Sequence, residues 1–430
     1  MVNRAGAFLG KTAGAAIAAC VMAGSAAGQG APACAADNAG LTVPAGFCVV
    51  VVADDAARAR HLAVAPSGDV IVAIGRSQDA DGGILVLRDA NGDGVADSRQ
   101  RFGTGAGSQV VLHGEFLYYS TNDAILRYRW PSGSMTPSAP ADTIVKGLPG
   151  DRSHARKTFA IGAGNALYVN IGSPSNSCQQ VDRTVNSPGK DPCDELETRA
   201  GIWRFDAMRT NQRQSDGVRF ATGMRNSVAV AVRPQDGELY AAIHGRDQLF
   251  QNWSALGFDE TGGAEKPAEE FVRVRQSDDY GWPYCYYDPQ LKRKVLAPEY
   301  GGDGRKQDRC AEKKDPLIGF PAHWAPNGLV FYAGTQFPER YRGGAFIAFH
   351  GSWNRAPLPQ GGYNVVFAPF RGNEPTGEWE VFADGFAGPN KDPGGALHRP
   401  VGLAQGPDGS LYVSDDKGGR IYRILYRGGQ

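Results

Sequence analysis

The residues from His350 to Arg355 bring an imidazole, a hydroxyl, an indole, an amide and a guanidinium together within six positions. A glycine-bounded apolar run at 343–349 precedes them, and a second apolar run follows at 362–367. A plain hairpin turn does not need this chemistry, and a solvated loop rarely carries tryptophan and histidine together. We therefore interpret the stretch as a strand end that presents polar groups to a site, with the rest of the chain as its scaffold.

Other polar groups also stand where predicted strands begin or end. His154 lies just before one such strand, Arg225 and Asn226 precede the strand at 228–232, and the residues 244–247 end the next one. Taken singly, a histidine is more often a satisfied surface residue than a base, and an ion pair in a turn contributes little. Their shared position at strand ends favours a common rim of polar groups.

Aromatic and cationic residues complete the set of candidates. Tyr280 and Trp282 lie in a compact turn that forms either a stacking wall for a flat ring or ordinary loop packing. Arg355, Arg399 and Lys417 are cations in different parts of the chain. Isolated surface arginines have no functional meaning, but arginines that converge from separate repeats on one channel would form an anion site.

The segment 89–97 has the spacing of a calcium-binding loop. Oxygen-bearing side chains occupy its first, third, fifth and ninth positions, namely Asp89, Asn91, Asp93 and Asp97, and glycine occupies the sixth. The twelfth position is Gln100, so the usual bidentate glutamate is missing. The pattern fits either a structural Ca²⁺ site or an Asx-rich hairpin turn, and the sequence does not decide between them.

Six similar hairpins along the chain predict the scaffold that positions these residues. Each has an apolar strand, a glycine-containing turn and a second strand rich in Leu, Val and Tyr; they lie at 64–73, 110–119, 160–169, 232–241, 341–348 and 405–413. A blade of four short strands needs roughly 40–50 residues, and the longer intervals are predicted to hold insertions at 173–200 and 251–327. A β-sandwich is the alternative, but one sandwich does not house six such hairpins. We therefore predict an all-β, six-bladed β-propeller with long inserted loops.

Composition supports an all-β chain and excludes some partners. Glycine (58) and proline (27) are frequent, so turns are many and long helices few. Lys plus Arg (45) equal Asp plus Glu (45), which gives no sign of a nucleic-acid or anionic-membrane partner. After the N-terminal region, no stretch has the ~18 apolar residues that a transmembrane helix needs.

The first residues have the features of an export signal. Arg4 and Lys11 are followed by a small-residue apolar run, with a cleavage region near 25–29, so 1–28 is predicted to be a signal peptide and 29–430 a single propeller domain. Lipoprotein processing at Cys20 is the less favoured alternative. The protein is thus expected to be periplasmic or secreted.

Six cysteines remain once the leader is removed. In an exported protein an even number indicates disulfides, and the pairs nearest in sequence are Cys34–Cys48, Cys178–Cys193 and Cys285–Cys310. Sequence alone does not fix connectivity, because six cysteines allow 15 pairings. There is no CxxC spacing for a metal and no CxxCH motif for attached haem.

From residue 41 to residue 426 the chain resembles the soluble quinoprotein sugar dehydrogenases, in particular their sorbosone dehydrogenase-like branch. The resemblance lies in the motifs at 223–226, 281–283, 350–355, 399–402 and 414–416, whose order and spacing match. It implies a six-bladed propeller that binds pyrroloquinoline quinone (PQQ) and Ca²⁺ at the channel mouth. It also implies oxidation of a sugar, aldose or sugar-derived aldehyde, with electrons passed to an external cytochrome or quinone by a monomer or homodimer.

The resemblance also assigns roles to residues. His154 is the implied general base, and Arg225 and Asn226 are implied to contact the quinone and the substrate side. The implied cofactor ligands and walls are Tyr280, Trp282, Arg355, Arg399 and Lys417, and the implied Ca²⁺ ligands are the main-chain oxygens of Gly245 and Arg246. Glucose-oxidising relatives have Gly-Pro where this chain has Gly245-Arg246, and many relatives have glycine at the position of His398.

The implied chemistry agrees with the residue types. Hydride transfer from a hydroxyl-bearing carbon needs a base for the hydroxyl proton, which a neutral histidine supplies near pH 7. Ca²⁺ would polarise the quinone carbonyl, and arginines would pair with the cofactor carboxylates. Two alternatives stay open: a non-catalytic propeller that binds a glycan or protein, and a Ca²⁺-dependent propeller hydrolase.

Overall fold

Short runs of β-branched, aromatic and alanine residues between glycine turns form the strands of this protein. The computed structural model describes residues 1–2, 32–78, 81–151 and 153–428. Val70–Ile74 and Ala345–Phe349 are buried at every position. Such strands need cover on both faces, which adjacent sheets supply when they pack around a ring.

Within the described residues, the strands β1 to β29, numbered in chain order, form six sheets of four or five strands and two small hairpins. We call the first three sheets blades 1 to 3. Blade 1 contains β2 (Ala59–Val64), β3 (Val70–Ile74), β4 (Gly83–Arg88) and β5 (Ser98–Phe102), and blade 2 contains β6 (Gln109–His113), β7 (Phe116–Ser120), β8 (Ile125–Arg129) and β9 (Asp142–Val145). Blade 3 contains β10 (Phe159–Ile161), β11 (Ala166–Ile171), β12 (Gly201–Asp206), β13 (Val218–Thr222) and β17 (Asp278–Asp279).

Blades 4 to 6 follow the same plan. Blade 4 contains β14 (Ala229–Val232), β15 (Leu239–Ile243), β16 (Glu269–Val274) and β20 (Ile318–Phe320), and blade 5 contains β21 (Pro326–Phe331), β22 (Ala345–Phe349), β23 (Asn364–Ala368) and β26 (Glu380–Ala383). Blade 6 contains β27 (Pro400–Gln405), β28 (Leu411–Asp415), β29 (Ile421–Tyr426) and β1 (Phe47–Ala53). The two hairpins are β18 (Cys285–Asp288) with β19 (Arg293–Leu296), and β24 (Phe370–Arg371) with β25 (Glu374–Pro375).

The six-bladed propeller predicted from the repeats is confirmed, because each predicted hairpin joins the first and second strands of one blade. The first insertion, 173–200, lies between β11 and β12 as expected. The second, 251–327, is not one loop: β16 and β20 belong to blade 4, and the excursions lie before and after β16.

The ring closes where the two ends of the chain pair. The N-terminal strand β1 is antiparallel to β29, with Phe47 opposite Tyr426, and thereby completes the last blade. Phe47 also packs edge-on against Phe337, Phe382 and Tyr341, at centroid distances of 4.8, 5.1 and 5.5 Å. These contacts join blade 6 to blade 5.

Helical structure is confined to short segments. The helices α1 (Leu249–Trp253) and α2 (Glu260–Glu265) lie between β15 and β16, and the Asp259 side chain caps α2 by accepting from the amide of Gly262. Single 3₁₀ turns are found at Asn38–Gly40, Ala163–Asn165, Asp194–Glu197, Gln214–Asp216, Ser254–Leu256, Pro298–Tyr300, Asp308–Glu312 and Glu339–Tyr341. None of the helices in the described ranges is long and apolar enough to cross a membrane.

The three predicted disulfides are confirmed. Cys34–Cys48, Cys178–Cys193 and Cys285–Cys310 are bonded, and they close loops of 14, 15 and 25 residues. The second and third tie down the polar insertions, where few apolar side chains are available to order the chain. The predicted signal-peptide segment and Cys20 lie outside the described residues, apart from positions 1–2.

Truncation of Phe47 tests the closure of the ring. Phe47→Ala is expected to lower the free energy of unfolding by about 3–5 kcal/mol, because it removes a buried ring and leaves a cavity between two blades. Urea unfolding followed by tryptophan fluorescence measures the change. Val218→Ala, at an exposed position of β13, is the control and should change the value by less than about 0.5 kcal/mol. A loss below about 1 kcal/mol for Phe47→Ala would show that this contact is not needed for closure.

Candidate active site

A cavity with two lobes lies at one end of the central channel of the propeller. At this end the first strand of each blade begins and the second strand ends. The smaller lobe, which we call the inner lobe, has a volume of about 230 Å³ and is lined by Arg183, Arg225, Asp247, Glu269, Trp353 and Asn354, among others. The outer lobe has a volume of about 730 Å³ and contains Arg58, Arg76, Arg156 and Asn226. His154 and His244 line both lobes.

His154 is held in the tautomer that a general base requires. Its Nδ1 lies 2.7 Å from the carbonyl oxygen of Ser173, so Nδ1–H donates there and Nε2 carries the free lone pair. Burial, reinforced by the charge of Arg225, lowers the pKa of His154 to about 3. The imidazole is therefore neutral at physiological pH.

Close approach of the backbone fixes the position of His154. A Cβ atom on Gly172 would lie 2.5 Å from the Cβ of His154 and 2.8 Å from Oδ1 of Asn226. Only glycine at the end of β11 leaves room for both side chains. Asn226 in turn donates from Nδ2 to Nδ1 of His244 at 3.4 Å, while His244 donates from Nε2 to the carbonyl of Pro326 at 2.7 Å.

Arg225 and Asp247 form a buried ion pair that Asn176 clamps from the first insertion. The Arg225–Asp247 distance is 3.0 Å. Asn176 accepts from the Arg225 guanidinium through both its main-chain and side-chain oxygens, and its Oδ1 also accepts from the amide of Asp247. Burial raises the pKa of Asp247, but Arg225, His323 and Arg183 together lower it well below the usual range. The insertion therefore builds part of the inner lobe.

Glu269 is a buried acid at the inner lobe whose oxygens accept only from main-chain amides. Its Oε2 accepts from the amide of Gly245 at 2.8 Å, and its Oε1 accepts from that of Ala325 at 3.0 Å. Burial raises the pKa of Glu269 to about 8, although the two amides favour the charged form. Glu269 therefore adds little negative charge at neutral pH, which leaves Asp247 as the ionised carboxylate opposite Arg183 and Arg225 among the described residues of the lobe.

Trp353 and Asn354 offer a flat face and an unused acceptor to the inner lobe. The Trp353 side chain is 56% exposed where it lines the cavity. Asn354 donates to Asp247 at 3.0 Å, while its own Oδ1 is buried with no partner among the described residues. A planar, polar ligand that stacks on the indole and donates to this oxygen would satisfy both groups.

The stretch that first indicated a site contributes His350, which contacts the buried Arg60–Asp416 ion pair. His350 lies 2.8 Å from one oxygen of Asp416 through Nε2, and Arg60 lies 2.6 Å from the other. Burial raises the pKa of Asp416, yet His350 and Arg60 together bring it well below the usual range. This triad joins blades 5, 6 and 1 beneath the outer lobe.

The structure brings together only part of the predicted set. His154, Arg225, Asn226 and the main chain of Gly245 lie at the cavity. Tyr280 is 2% exposed in the core, and its hydroxyl donates to the carbonyl of Arg273 at 2.6 Å. Trp282 donates to the carbonyl of Asn176 at 3.0 Å and packs beside the Cys178–Cys193 disulfide. Trp282 thus supports Asn176, which holds Arg225, whereas Tyr280 is part of the hydrophobic core.

Three predicted cofactor cations also lie elsewhere, because nearby carbonyl oxygens satisfy them. Arg355 donates to the carbonyls of Ala264, Ala322 and Pro359. Arg399 donates to His350 and Gly351, and Lys417 donates to the carbonyls of Pro393 and Gly394. In these positions they tie loops together and do not line either lobe.

The predicted carbonyl ligands for Ca²⁺ do not fit a cation in this arrangement. The oxygen of Gly245 accepts from Nη1 of Arg225 at 2.9 Å, so a divalent cation there would face a guanidinium. The side chain of Arg246 is turned away into a buried ion pair with Glu299 at 2.5 Å. The only group of three ligating side chains found in the described residues is Cys178, Cys193 and Asp194, and its two cysteines form a disulfide.

The loop at 89–97 is held by its own backbone. Asp89 accepts from the amides of Gly92 and Gly94, and Asp97 accepts from those of Ala90 and Asn91. Asn91 and Asp93 likewise accept from amides two residues further on. This is the Asx-turn arrangement, and Ca²⁺ binding at this loop stays a prediction.

Several cavity residues carried no recognisable sequence signal. Arg183 is in an irregular loop, Arg58 and Arg76 flank blade 1, and Glu269 reads as an ordinary strand residue. For Arg156 the sequence does offer one signal, because the residue follows His154 by two positions. The sequence identifies 244–247 as a strand end, but no pattern in it marks the carboxylate of Asp247 as the centre of the inner lobe.

The fold is that of a six-bladed β-propeller with a polar cavity at one end of its channel. It belongs to the TrAA12-like family, which it matches over residues 41–427. It is 25% identical over 433 aligned residues, covering 89% of this chain, to a pyrroloquinoline quinone-dependent pyranose dehydrogenase of Coprinopsis cinerea. The chain spans about half the length, 48–54%, of the curated relatives it matches.

Solved structures share the fold. The family AA12 protein of Trichoderma reesei superposes with a TM-score of 0.72 at 20% identity, covering 90% of this chain and 98% of that one. The holo pyranose dehydrogenase PQQ domain of Coprinopsis cinerea gives a TM-score of 0.70 at 21% identity, covering 92% and 98%. Of these proteins, the pyranose dehydrogenase of Coprinopsis cinerea is PQQ-dependent, and none of them supports a sorbosone-specific branch.

Removal of the Asp416 charge tests the triad beneath the cavity. Asp416→Asn is expected to lower the free energy of unfolding at pH 7 by roughly 3 kcal/mol, because Arg60 is left buried without its partner. The wild-type carboxylate stabilises the fold above the unfolded pKa near ~3.9, and this contribution is lost as pH falls through the lower folded value. The difference between wild type and variant should therefore shrink below about pH 4.

Urea unfolding at pH 7 and at steps down to about pH 3 measures this difference. Asp194→Asn, which breaks the exposed Lys190–Asp194 pair at 3.2 Å, is the control and should have little effect at any pH. Equal stability of wild type and Asp416→Asn at pH 7 would contradict the assigned role of the triad.

Proposed function

We propose that this protein is a quinoprotein oxidoreductase that binds PQQ in the inner lobe and oxidises a sugar or aldose in the outer lobe. The observation that carries the proposal is His154, a neutral imidazole that lines both lobes and whose Nδ1 bond to Ser173 leaves Nε2 free. A base in that position serves a substrate on one side and a hydride acceptor on the other. The PQQ dependence of the pyranose dehydrogenase relative supports the proposal that this protein also uses PQQ.

The donor set of the inner lobe fits the proposed cofactor. PQQ is flat and carries three carboxylates, and the lobe offers the exposed face of Trp353 and the guanidinium of Arg183, beside the buried charge of Arg225 that Asn176 and Asp247 hold in place. When bound, the quinone supplies a two-electron oxidant that accepts hydride. Arg225 is held rigidly by Asn176 and Asp247, so its charge needs little reorganisation during the reaction.

His154 performs the proton transfer in this proposal. Its Nε2 takes the proton from the hydroxyl of the reacting carbon, and the Nδ1–H bond to Ser173 keeps the ring oriented. Asn226 and His244, which line the same junction, hold the substrate side. No step is assigned to Ca²⁺, because Arg225 already donates to the oxygen of Gly245.

Reconstitution tests the activity. We expect the purified protein to reduce an artificial electron acceptor in the presence of an aldose only after PQQ is added. Assays with added CaCl₂ and with EDTA determine whether the divalent ion contributes. Absence of turnover with a broad panel of aldoses after demonstrated PQQ binding would favour the non-catalytic binding propeller.

Substitution of the base tests the mechanism. His154→Ala is expected to retain PQQ binding and to lose roughly 10²–10⁴-fold in kcat, the usual contribution of a general base. His113→Ala is the matched control, since that imidazole lies on β6 and contacts Asn165 at 3.1 Å outside both lobes. Turnover that is unchanged in His154→Ala would remove the residue from the mechanism.

The pH dependence gives a second test of His154. Because burial lowers its pKa to about 3, the basic form persists at mildly acidic pH. We expect kcat/KM of the PQQ-loaded protein to change less than about threefold between pH 7 and pH 5, whereas a base with the ordinary pKa near ~6.5 would lose more than tenfold. Steady-state rates in buffers of constant ionic strength measure the profile, and a decline centred near pH 6.5 would contradict the neutral, buried assignment.

A further inference from the structure

The outer lobe is positively charged. Arg58, Arg76 and Arg156 line it, and the described residues of its wall include no aspartate or glutamate. The two histidines at its base, His154 and His244, are neutral, since burial lowers the pKa of each to about 3 and about 4. A lobe that received only neutral sugars would need hydrogen-bonding groups but no net charge.

The arginines of this lobe have little else to bind. Arg156 makes a single long hydrogen bond, 3.4 Å from the carbonyl of Gly107, and Arg58 has no ion-pair partner within the part of the chain that the structure describes. Arg76 lies 3.7 Å from Asp81, and both of these side chains are more than 60% exposed. Unused guanidinium donors that face one space are a built anion site, because arginine presents paired N–H groups to carboxylate oxygens.

Crowding of like charges strengthens this interpretation. Arg60 lies beneath the lobe, and its charge, together with burial and Arg58, lowers the pKa of Arg156 to about 9. The nearest carboxylate, Asp416, is already shared by Arg60 and His350. An anion bound between Arg58 and Arg156 would relieve this repulsion.

The position of the lobe favours a substrate as the anion. The inner lobe has its own arginines, Arg183 and Arg225, and the flat face of Trp353, whereas Arg58 and Arg76 are exposed at the mouth that an incoming molecule meets first. Arg156 follows the base His154 by two residues, so one molecule reaches both.

We propose that the substrate is a sugar that carries a carboxylate, of the hexuronate class, with its anomeric carbon at His154 and its carboxylate between Arg58 and Arg156. This inference rests on the proposed function and specifies its substrate. The reaction would break the anomeric C–H bond, and PQQ held in the inner lobe would supply the two-electron oxidant that accepts the hydride. The anomeric hydroxyl proton goes to Nε2 of His154, and the product is the lactone of the corresponding diacid.

A matched pair of substrates tests the proposal. We expect the PQQ-loaded protein to have a KM for a hexuronate at least tenfold below that for the hexose of the same configuration, a ratio typical of a charge-assisted hydrogen bond. The ratio should decrease as ionic strength rises, because exposed arginines are screened. Arg58→Gln and Arg156→Gln should each raise the KM for the hexuronate roughly tenfold, and that for the hexose much less.

Arg101→Gln is the control, because it removes the same charge from an exposed position of β5 outside the cavity. The affinity for PQQ, measured by absorbance titration, distinguishes a lobe that binds the carboxylate of the substrate from one that binds a carboxylate of the cofactor. Weaker PQQ binding in Arg58→Gln and Arg156→Gln, with an unchanged hexuronate-to-hexose ratio, would assign these arginines to the cofactor and overturn the proposal.

The design also distinguishes failure of the proposed function from failure of this inference. If no sugar is oxidised, calorimetric titration of the PQQ-loaded protein with the hexuronate and the hexose still measures the charge preference of the lobe. Binding of the hexuronate that weakens in Arg156→Gln but not in Arg101→Gln supports the anion site even then. Equal binding of the two sugars would overturn it.

Discussion

Pairing of β1 with β29 is the interaction on which the rest of the molecule depends. Each blade leaves its faces uncovered when alone, so the sheets are stable only as a closed ring, and the ring closes where the first strand joins the last blade. The cavity lies at the end of the channel that this closure creates. Its walls come from loops of blades that are distant in sequence, so the site exists only because the ring holds them in register.

Within that frame, buried charges are arranged in opposite ways in the two lobes. The inner lobe is organised by Asp247, which joins Arg183, Arg225 and Asn354 in one network. Breaking such a buried network by removing one partner is costly, so it keeps the cavity in a single conformation. The outer lobe has the cations without the network, and its arginines therefore remain available to a ligand. In the proposed function, the inner lobe would therefore hold the cofactor rigidly, and the outer lobe would attract the substrate.

The scaffold was largely predictable because hairpin repeats, glycine turns and cysteine spacing are local signals. His154 and the segment 223–226 stand at predicted strand ends, which converge on one channel in a propeller, but their roles were implied only by the family resemblance. The arginines were only partly predictable. A long side chain at a strand end reaches either the channel or a neighbouring carbonyl, and for Arg355, Arg399 and Lys417 the carbonyls are closer. Arg183 and Asp247 meet across an insertion whose path no periodicity encodes.

The disulfides and the ring closure are contacts of very different range along the chain. Each disulfide joins cysteines 14 to 25 residues apart, so its two partners lie close together in sequence. The partner of β1 is β29, with nearly the whole chain between them, and such long-range pairing is slow to form. The disulfides thus depend on contacts between nearby residues, whereas the channel is complete only after the last strand has paired with β1.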